Sequence, residues 1–380
     1  MKPGCSIIIV TYHSAKTIST CLASVLNTLR RNDEIIVIDN HSADQTAEIL
    51  RDFAAASGRK MSLFLQTENL GFARACNIGI EKSNKEFVVL LNPDTEVFGD
   101  WLSRLTEHFR FYPKTAAVGP LSNYVIRTQH ITSYFPEYAD YLNDAAGLMA
   151  CLNERFKRRS LPSKLLIGFC LMLKRDLIER FGGLDADFFL GMEDLEISWR
   201  LREQGYLLRV ALDVFVNHVG HVSFNTAPES HSEHFVQKGA DVLYEKMHVH
   251  YHPEPVPHPE DYFGVGWWQP SILKTKPVTE VFAPKLKPDD YTQLVLQIKS
   301  LIKKRSQQAA IRLVRQALKR YVNDYILWYT LGSVYLAVGE LAEAEAALKN
   351  AWALEGNQDK ACKKLNREVN LRRQQETVVL

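Results

Sequence analysis

No apolar run in this 380-residue chain is long enough to cross a membrane as a helix. The longest, Leu165 to Leu173, falls far short of the roughly 20 residues a bilayer needs. Paired cysteines are also missing. Cys5, Cys21, Cys76, Cys151, Cys170 and Cys362 are scattered and form no CxxC, which speaks against a zinc site or a disulfide framework and for free thiols in a reducing compartment. Excess charge is missing too. The formal net charge is +2, and only Lys157-Arg158-Arg159 and Lys303-Lys304-Arg305 stand out as basic blocks, so no nucleic-acid partner is expected. Met1 leads straight towards the strand-like Ser6 to Val10 with no n-region or cleavage site, so no signal peptide is expected. These absences predict a cytoplasmic protein, with contact at the inner face of a membrane left open.

What is present is an ordinary globular composition, 46% hydrophobic and 24% charged. The length exceeds what one compact core fills and predicts two or three domains. The first 115 residues alternate strand and helix patterns. Ser6-Ile7-Ile8-Ile9-Val10, Glu34-Ile35-Ile36-Val37-Ile38 and Phe87-Val88-Val89-Leu90-Leu91 read as strands buried on both faces. Leu63 to Gln66 reads as a shorter one. Helical spacing marks Ala15 to Leu29, Thr46 to Ala56 with Ser42 as a cap, Gly71 to Lys82, and Trp101 to Tyr112. Such alternation predicts βαβ units in a mostly parallel sheet. The three clearest strands end in polar clusters: Thr11-Tyr12, Asp39-Asn40-His41-Ser42 and Asn92-Pro93-Asp94. Parallel strands bring such ends to one edge, where ligands bind in open α/β sheets. A plain turn is the competing reading of Asn92-Pro93-Asp94; the convergence favours a ligand site.

From Asn123 to Ser163 the pattern is irregular, which in a long connection points to function or mobility. Leu165 to Leu173 reads as a buried strand, Arg175 to Phe181 as a short helix, Asp194 to Gln204 as a helix, and Leu207 to Val216 as a strand leading to Asn217-His218. Prolines recur from Pro253 to Pro288, giving an extended connector. Tyr262, Phe263, Trp267 and Trp268 make it too apolar to be free. Beyond it, Trp328, Leu331, Gly332, Tyr335, Ala344, Leu348 and Ala351 follow the tetratricopeptide pattern. One period earlier stand Ala310, Val314 and Ala317, and Leu365 and Val369 suggest a capping helix. The expected organisation is an α/β domain over 1–252 (a first half 1–115 and a second half 116–252), a connector over 253–288, and helical repeats over 289–380.

Several motifs occur in order: Ser6 to Tyr12, Ile38-Asp39-Asn40-His41-Ser42-Ala43-Asp44, Asn69-Leu70-Gly71-Phe72-Ala73 with Asn77, Leu91-Asn92-Pro93-Asp94-Thr95, Phe188 to Asp194, and His218-Val219-Gly220. With them, about residues 5 to 225 resemble a family-2 glycosyltransferase of the GT-A fold, and Asn-Pro-Asp with Gly-Phe-Ala looks most like the rhamnosyltransferase branch. The resemblance implies nucleotide-sugar contacts at Thr11, Tyr12, Asp39, Asn40, Ser42, Asp44, Gly71, Phe72, Arg74, Asn77 and Asn92, with Arg74 and Asn77 open between donor and solvent. It implies that Asp94, with His218, binds Mg²⁺ or Mn²⁺ at the donor diphosphate. Asn92 replaces the first acid of the usual Asp-x-Asp. It implies that Asp194 is the general base that deprotonates the acceptor hydroxyl, with Glu193 beside it. Asp39 and Asp194 also fit purely structural work, as an acceptor of loop amides and as a helix cap.

The leading expectation is thus an inverting transfer from a dTDP-rhamnose or UDP-hexose type donor to a hydroxyl on a glycan, a lipid-linked sugar or a protein. The helical repeats would recruit a protein partner or a second copy. A nucleotidyltransferase would need a Gly-rich basic loop after Thr11, and Tyr12-His13-Ser14-Ala15-Lys16 is not one. A degenerate enzyme acting as a scaffold through its repeats is the alternative from another class.

Overall fold

The computed structural model describes residues 3–57, 61–125, 127–220, 229–265, 268–285, 288–355 and 360–378. A nine-stranded mixed sheet organises the first two thirds. Its parallel part is β1 (Cys5–Thr11), β2 (Glu34–Asp39), β3 (Met61–Leu65) and β4 (Phe87–Leu91), joined by helices α1 (Ile18–Thr28), α2 (Thr46–Ser57) and α3 (Phe72–Lys82). Every residue of β1 and β4 is buried, as continuous apolar strands with helices on both faces must be. Gly79 on α3 lets that helix lie directly on β1: a Cβ there would come within 2.4 Å of Ile8 Cγ2.

The sheet continues through β5 (Thr95–Val97), α4 (Trp101–Phe111), β6 (Thr115–Ser122), α5 (Ala145–Phe156), β7 (Ser160–Ser163), β8 (Cys170–Lys174), α6 (Arg175–Arg180), α7 (Glu193–Glu203) and β9 (Leu207–His218). The strand order is β3-β2-β1-β4-β8-β6-β9-β5, with β7 also on β9. β8 runs antiparallel to β4 and β6, whereas β6 and β9 are parallel. One core of buried residues spans this sheet, from Cys5 to Val216.

Two expectations fail here. Leu165 to Leu173 is not one strand. Only Cys170–Lys174 pairs, because Gly168 interrupts the run and residues 165–169 form a loop. Nor is 123–163 irregular throughout, since it holds α5 and β7. Asp144 caps α5, accepting from the Gly147 amide at 2.8 Å, the kind of bond that satisfies an open helix N-terminus.

The proline-rich stretch is firmly docked. Val256, Tyr262, Phe263, Trp268 and Phe282 are buried against α7 and helix α8 (Glu229–Tyr251) in a second apolar cluster. Two short helices, α9 (Pro259–Phe263) and α10 (Val278–Val281), lie within it. Trp267 falls outside the described residues.

The rest is helical: α11 (Pro288–Lys303), α12 (Gln307–Arg320), α13 (Tyr325–Ala337), α14 (Leu341–Glu355) and α15 (Lys360–Val378). They share a third core containing Trp328, Leu331, Tyr335, Ala344, Leu348, Ala351 and Val369. Gly332 sets the spacing of α13 and α14. A Cβ there would sit 2.6 Å from Leu348 Cγ.

Candidate active site

The sheet gathers the polar strand ends at one edge. Thr11 and Asp39 are register partners at the ends of β1 and β2. Thr11 Oγ1 donates to Asp39 Oδ1 at 2.8 Å. Ser42 gives Asp39 two more hydrogen bonds, from its amide at 3.1 Å and its hydroxyl at 2.6 Å. Ser42 Oγ in turn accepts from the His13 amide at 2.9 Å. Ser42 therefore ties the first two strand ends together and does not cap α2, as its sequence position suggested. Asp44 takes that role, accepting from the Thr46 amide at 3.1 Å and from Ala15 N. Burial raises the Asp44 carboxyl, but the bonds from Thr46 and Ala15 outweigh it and hold it below the usual range. Tyr12 stacks on His13 with ring centroids 4.2 Å apart and stays partly exposed at the rim.

Several candidate ligand contacts spend their polar atoms on the protein. Asn40 clamps the 69–71 turn, donating to Asn69 Oδ1 at 2.7 Å and accepting from Leu70 N at 2.9 Å. Asn77 clamps Leu184 through both its amide and its carbonyl, at 2.8 and 2.7 Å. Arg74 Nε donates to Ala186 O at 3.3 Å. Phe72 N donates to Phe189 O at 2.7 Å. Gly71, at φ +82°, lies so close that a Cβ would meet Phe189 O at 2.7 Å, so glycine is required there. The start of α3 thus fixes the loop that leads to Glu193 and Asp194.

Asp94 follows β4, and His218 ends β9. Asp94 is 5% exposed, and its Oδ1 lies 3.3 Å from His218 Nε2. His218 Nδ1 is 2.8 Å from Tyr124 O. A carbonyl only accepts, so Nδ1 carries a proton, and Nε2 is the ring nitrogen turned to Asp94. No donor among the described residues satisfies Asp94 Oδ1. A carboxylate oxygen with no other partner therefore faces the second ring nitrogen. The ring is held by stacking on Phe169 at 5.2 Å. The backbone around it is pinned by Asn123, whose Oδ1 accepts from His218 N at 2.8 Å. Asn92 contributes through its backbone, donating to Phe169 O at 2.9 Å and accepting from Thr95 Oγ1 at 2.7 Å.

Asp194 lies in the first turn of α7. Its Oδ2 accepts from Gly168 N at 3.3 Å and its Oδ1 from Leu195 N at 2.9 Å. Both Asp194 and Glu193 keep partial solvent access, yet the walls around them disfavour charge. Burial pushes Asp194 up to about 6 despite the amide bonds that oppose it. Burial, then the neighbouring Asp194 charge, pushes Glu193 up to about 8, and no described donor reaches Glu193 Oε2. Met192 before them holds φ at +73°, an uncommon conformation for a bulky side chain and one that clusters at functional sites.

The loop missed in the sequence connects these groups. Gly168 holds Asp194, while the Phe169 carbonyl holds Asn92 and the Phe169 ring holds His218. Gly168 inside an apolar run was the available signal. Arg200 on α7 is half-buried. It pairs with Glu196 at 2.8 Å and donates to the carbonyls of Phe181 and Gly183. Among the described residues, no three His, Cys, Asp or Glu side chains converge as a complete metal shell.

Residues 6–182 match Glycosyl transferase family 2, and residues 278–377 match the ChAPs (Chs5p-Arf1p-binding proteins) family. The poly-beta-1,6-N-acetyl-D-glucosamine synthase of Staphylococcus epidermidis is 29% identical over 209 residues, covering 54% of this chain and 47% of that protein. The chain thus spans about half the length of the curated relatives it matches. Among solved structures, the mannosyltransferase PcManGT from Pyrobaculum calidifontis in complex with GDP-Man and Mn²⁺ aligns with a TM-score of 0.47 at 18% identity, covering 97% of this chain and 85% of that one. S. aureus TarS 1-349 in complex with UDP-GlcNAc aligns with a TM-score of 0.46 at 13% identity, over 92% and 90% of the two chains.

Proposed function

We propose that this chain, which carries a family-2 glycosyl transferase domain over residues 6–182, transfers a sugar with inversion from a nucleoside-diphosphate sugar to an acceptor hydroxyl. Thr11, Asp39 and Asp44 border the nucleotide, with Tyr12 at the rim and Asn40, Ser42, Gly71, Phe72 and Asn77 holding the walls. Asp194 takes the proton of the attacking hydroxyl, and Glu193, protonated near neutral pH, positions it. The names of the relatives make an N-acetylglucosamine donor the first to test, ahead of a rhamnosyl one. The acceptor is a hydroxyl on a glycan, a lipid-linked sugar or a protein.

The observation that carries this reading is the Asp94–His218 pair. Its carboxylate oxygen and ring nitrogen, 3.3 Å apart, match neighbouring ligands of an octahedral ion, which at metal–ligand distances of about 2.1 Å sit about 3.0 Å apart. A bound Mg²⁺ or Mn²⁺ there would supply charge neutralisation for the departing nucleoside diphosphate. A hard divalent ion needs few protein ligands when diphosphate oxygens and water complete its shell, so a two-residue set fits. A proton on Nε2 would relieve the same contact, and calorimetry separates the two. UDP binding should tighten at least about tenfold with Mn²⁺, and Asp94→Asn or His218→Ala should remove that gain. UDP affinity indifferent to Mn²⁺, or a gain intact in both variants, overturns the assignment.

A further inference from the structure

We propose that a cleft between the sheet and the helical repeats binds an amphiphilic phosphate, an anionic head on an apolar body. The cavity is about 580 Å³ and is walled by the end of α4, the turn before β9, and α12 to α14. It lies at the Leu207 end of β9, whereas the Asp94–His218 pair lies at the other end. Twelve residues of strand, roughly 35 Å at about 3.3 Å per residue, separate the two.

Charge is the first observation. Lys114, Arg202, Arg312, Arg315 and Lys319 line the cleft, against Glu203 and Glu343. Glu203 accepts from the hydroxyls of Tyr251 and Tyr262, at 2.9 and 2.7 Å, and pairs with Lys319 at 3.7 Å, which leaves Lys114, Arg312 and Arg315 against Glu343. Burial and then Arg315 hold the Lys114 amine below its usual value, against the opposing pull of Glu343 and Glu340.

The second observation concerns side chains buried at this interface. Among the described residues, two buried arginines at this interface pair with neutral groups only. Arg209 is fully buried; it bonds Ser160 Oγ at 2.7 Å, Ser160 O and Asn350 Oδ1, and lies 3.6 Å from the Tyr112 ring centroid. Arg202, 4% exposed, donates to the carbonyls of Lys164, Tyr262 and Lys319. Buried charges are ordinarily matched, because an unmatched one is costly.

The third is Asn350, 1% exposed and part of the cavity wall. Because Arg209 donates to its Oδ1, its Nδ2 is fixed as a donor, and no described residue accepts from it. A buried donor without an acceptor, beside arginines that meet only neutral groups, favours an acceptor-rich anion. Leu207, Leu318, Leu331, Ala347 and Trp328 supply the apolar remainder.

The test is calorimetry on the full chain without divalent cation, using decyl phosphate, decanol and inorganic phosphate as probes. Decyl phosphate should bind at least about tenfold tighter than decanol and than inorganic phosphate, and tenfold corresponds to about 1.4 kcal/mol. Lys114→Met combined with Arg315→Gln should weaken decyl phosphate by at least the same factor, while Lys114→Arg retains binding. These side chains are half-buried and exposed, and an unchanged circular dichroism spectrum verifies folding. Asp94→Asn should leave the affinity unchanged. No binding of decyl phosphate, equal binding of decanol, or loss in Asp94→Asn overturns the proposal.

Discussion

Asp194 shows how one residue is set between two jobs. A helix-capping aspartate would be stabilised as the anion. Here burial raises its pKa to about 6, above the ordinary value of about 3.9. The folded chain therefore keeps a proton that the unfolded chain releases, so this residue's contribution to stability falls as pH rises from about 4 to about 6. Two consequences follow. If Asp194 is the base, kcat/KM should fall below about pH 6 with unit slope, and a fall centred near pH 4 would contradict it. At pH 7.5, Asp194→Asn should melt no lower than the wild type, because it removes a desolvated charge; a clear drop in Tm would mark Asp194 as a structural cap. Asp94 and His218 were legible as strand-end residues from sequence. That they face each other at 3.3 Å was not, because it depends on β5 pairing with β9, which sets Thr95 opposite His218.

Elements were legible where a strong period met a clear stop. β1, β2, β4 and α3 fall within a residue or two of their expected bounds, because buried parallel strands and Gly- or Pro-bounded helices carry their own punctuation. The 165–173 stretch was misread because an apolar run has no period to separate strand from buried loop. In α5 the Asp144 cap was readable, but Gly147 in its first turn diluted the helical signal. The repeat motif was legible because its small residues have a packing reason. Gly332→Leu should force α13 from α14 and destabilise by at least about 1–3 kcal/mol in urea unfolding; an unchanged midpoint would refute that packing. Asp324, which caps α13 through the Leu327 amide at 2.8 Å, should cost about 1 kcal/mol on change to Ala.

At the scale of the whole molecule, the sheet and the repeats meet through polar groups. Arg202 reaches the Lys319 carbonyl and Arg209 reaches Asn350. Sequence could not show this, since these partners lie 117 and 141 residues apart. Arg209 has no carboxylate partner here, so Arg209→Met should change stability little. Asn350→Ala keeps the buried cation but removes an acceptor, and should cost about 1.5–3 kcal/mol. Chemical unfolding of both variants checks the contrast, and the reverse order would contradict it. No described helix is long and apolar enough to cross a membrane.

The division of labour, Asp94 with His218 at the leaving group and Asp194 at the attacker, is tested most directly by paired measurements on Asp194→Asn. These are donor affinity by calorimetry and sugar transfer by the intact chain. The account predicts donor affinity within about twofold of wild type and transfer reduced about 10²–10⁴-fold. Transfer at the wild-type rate would contradict it.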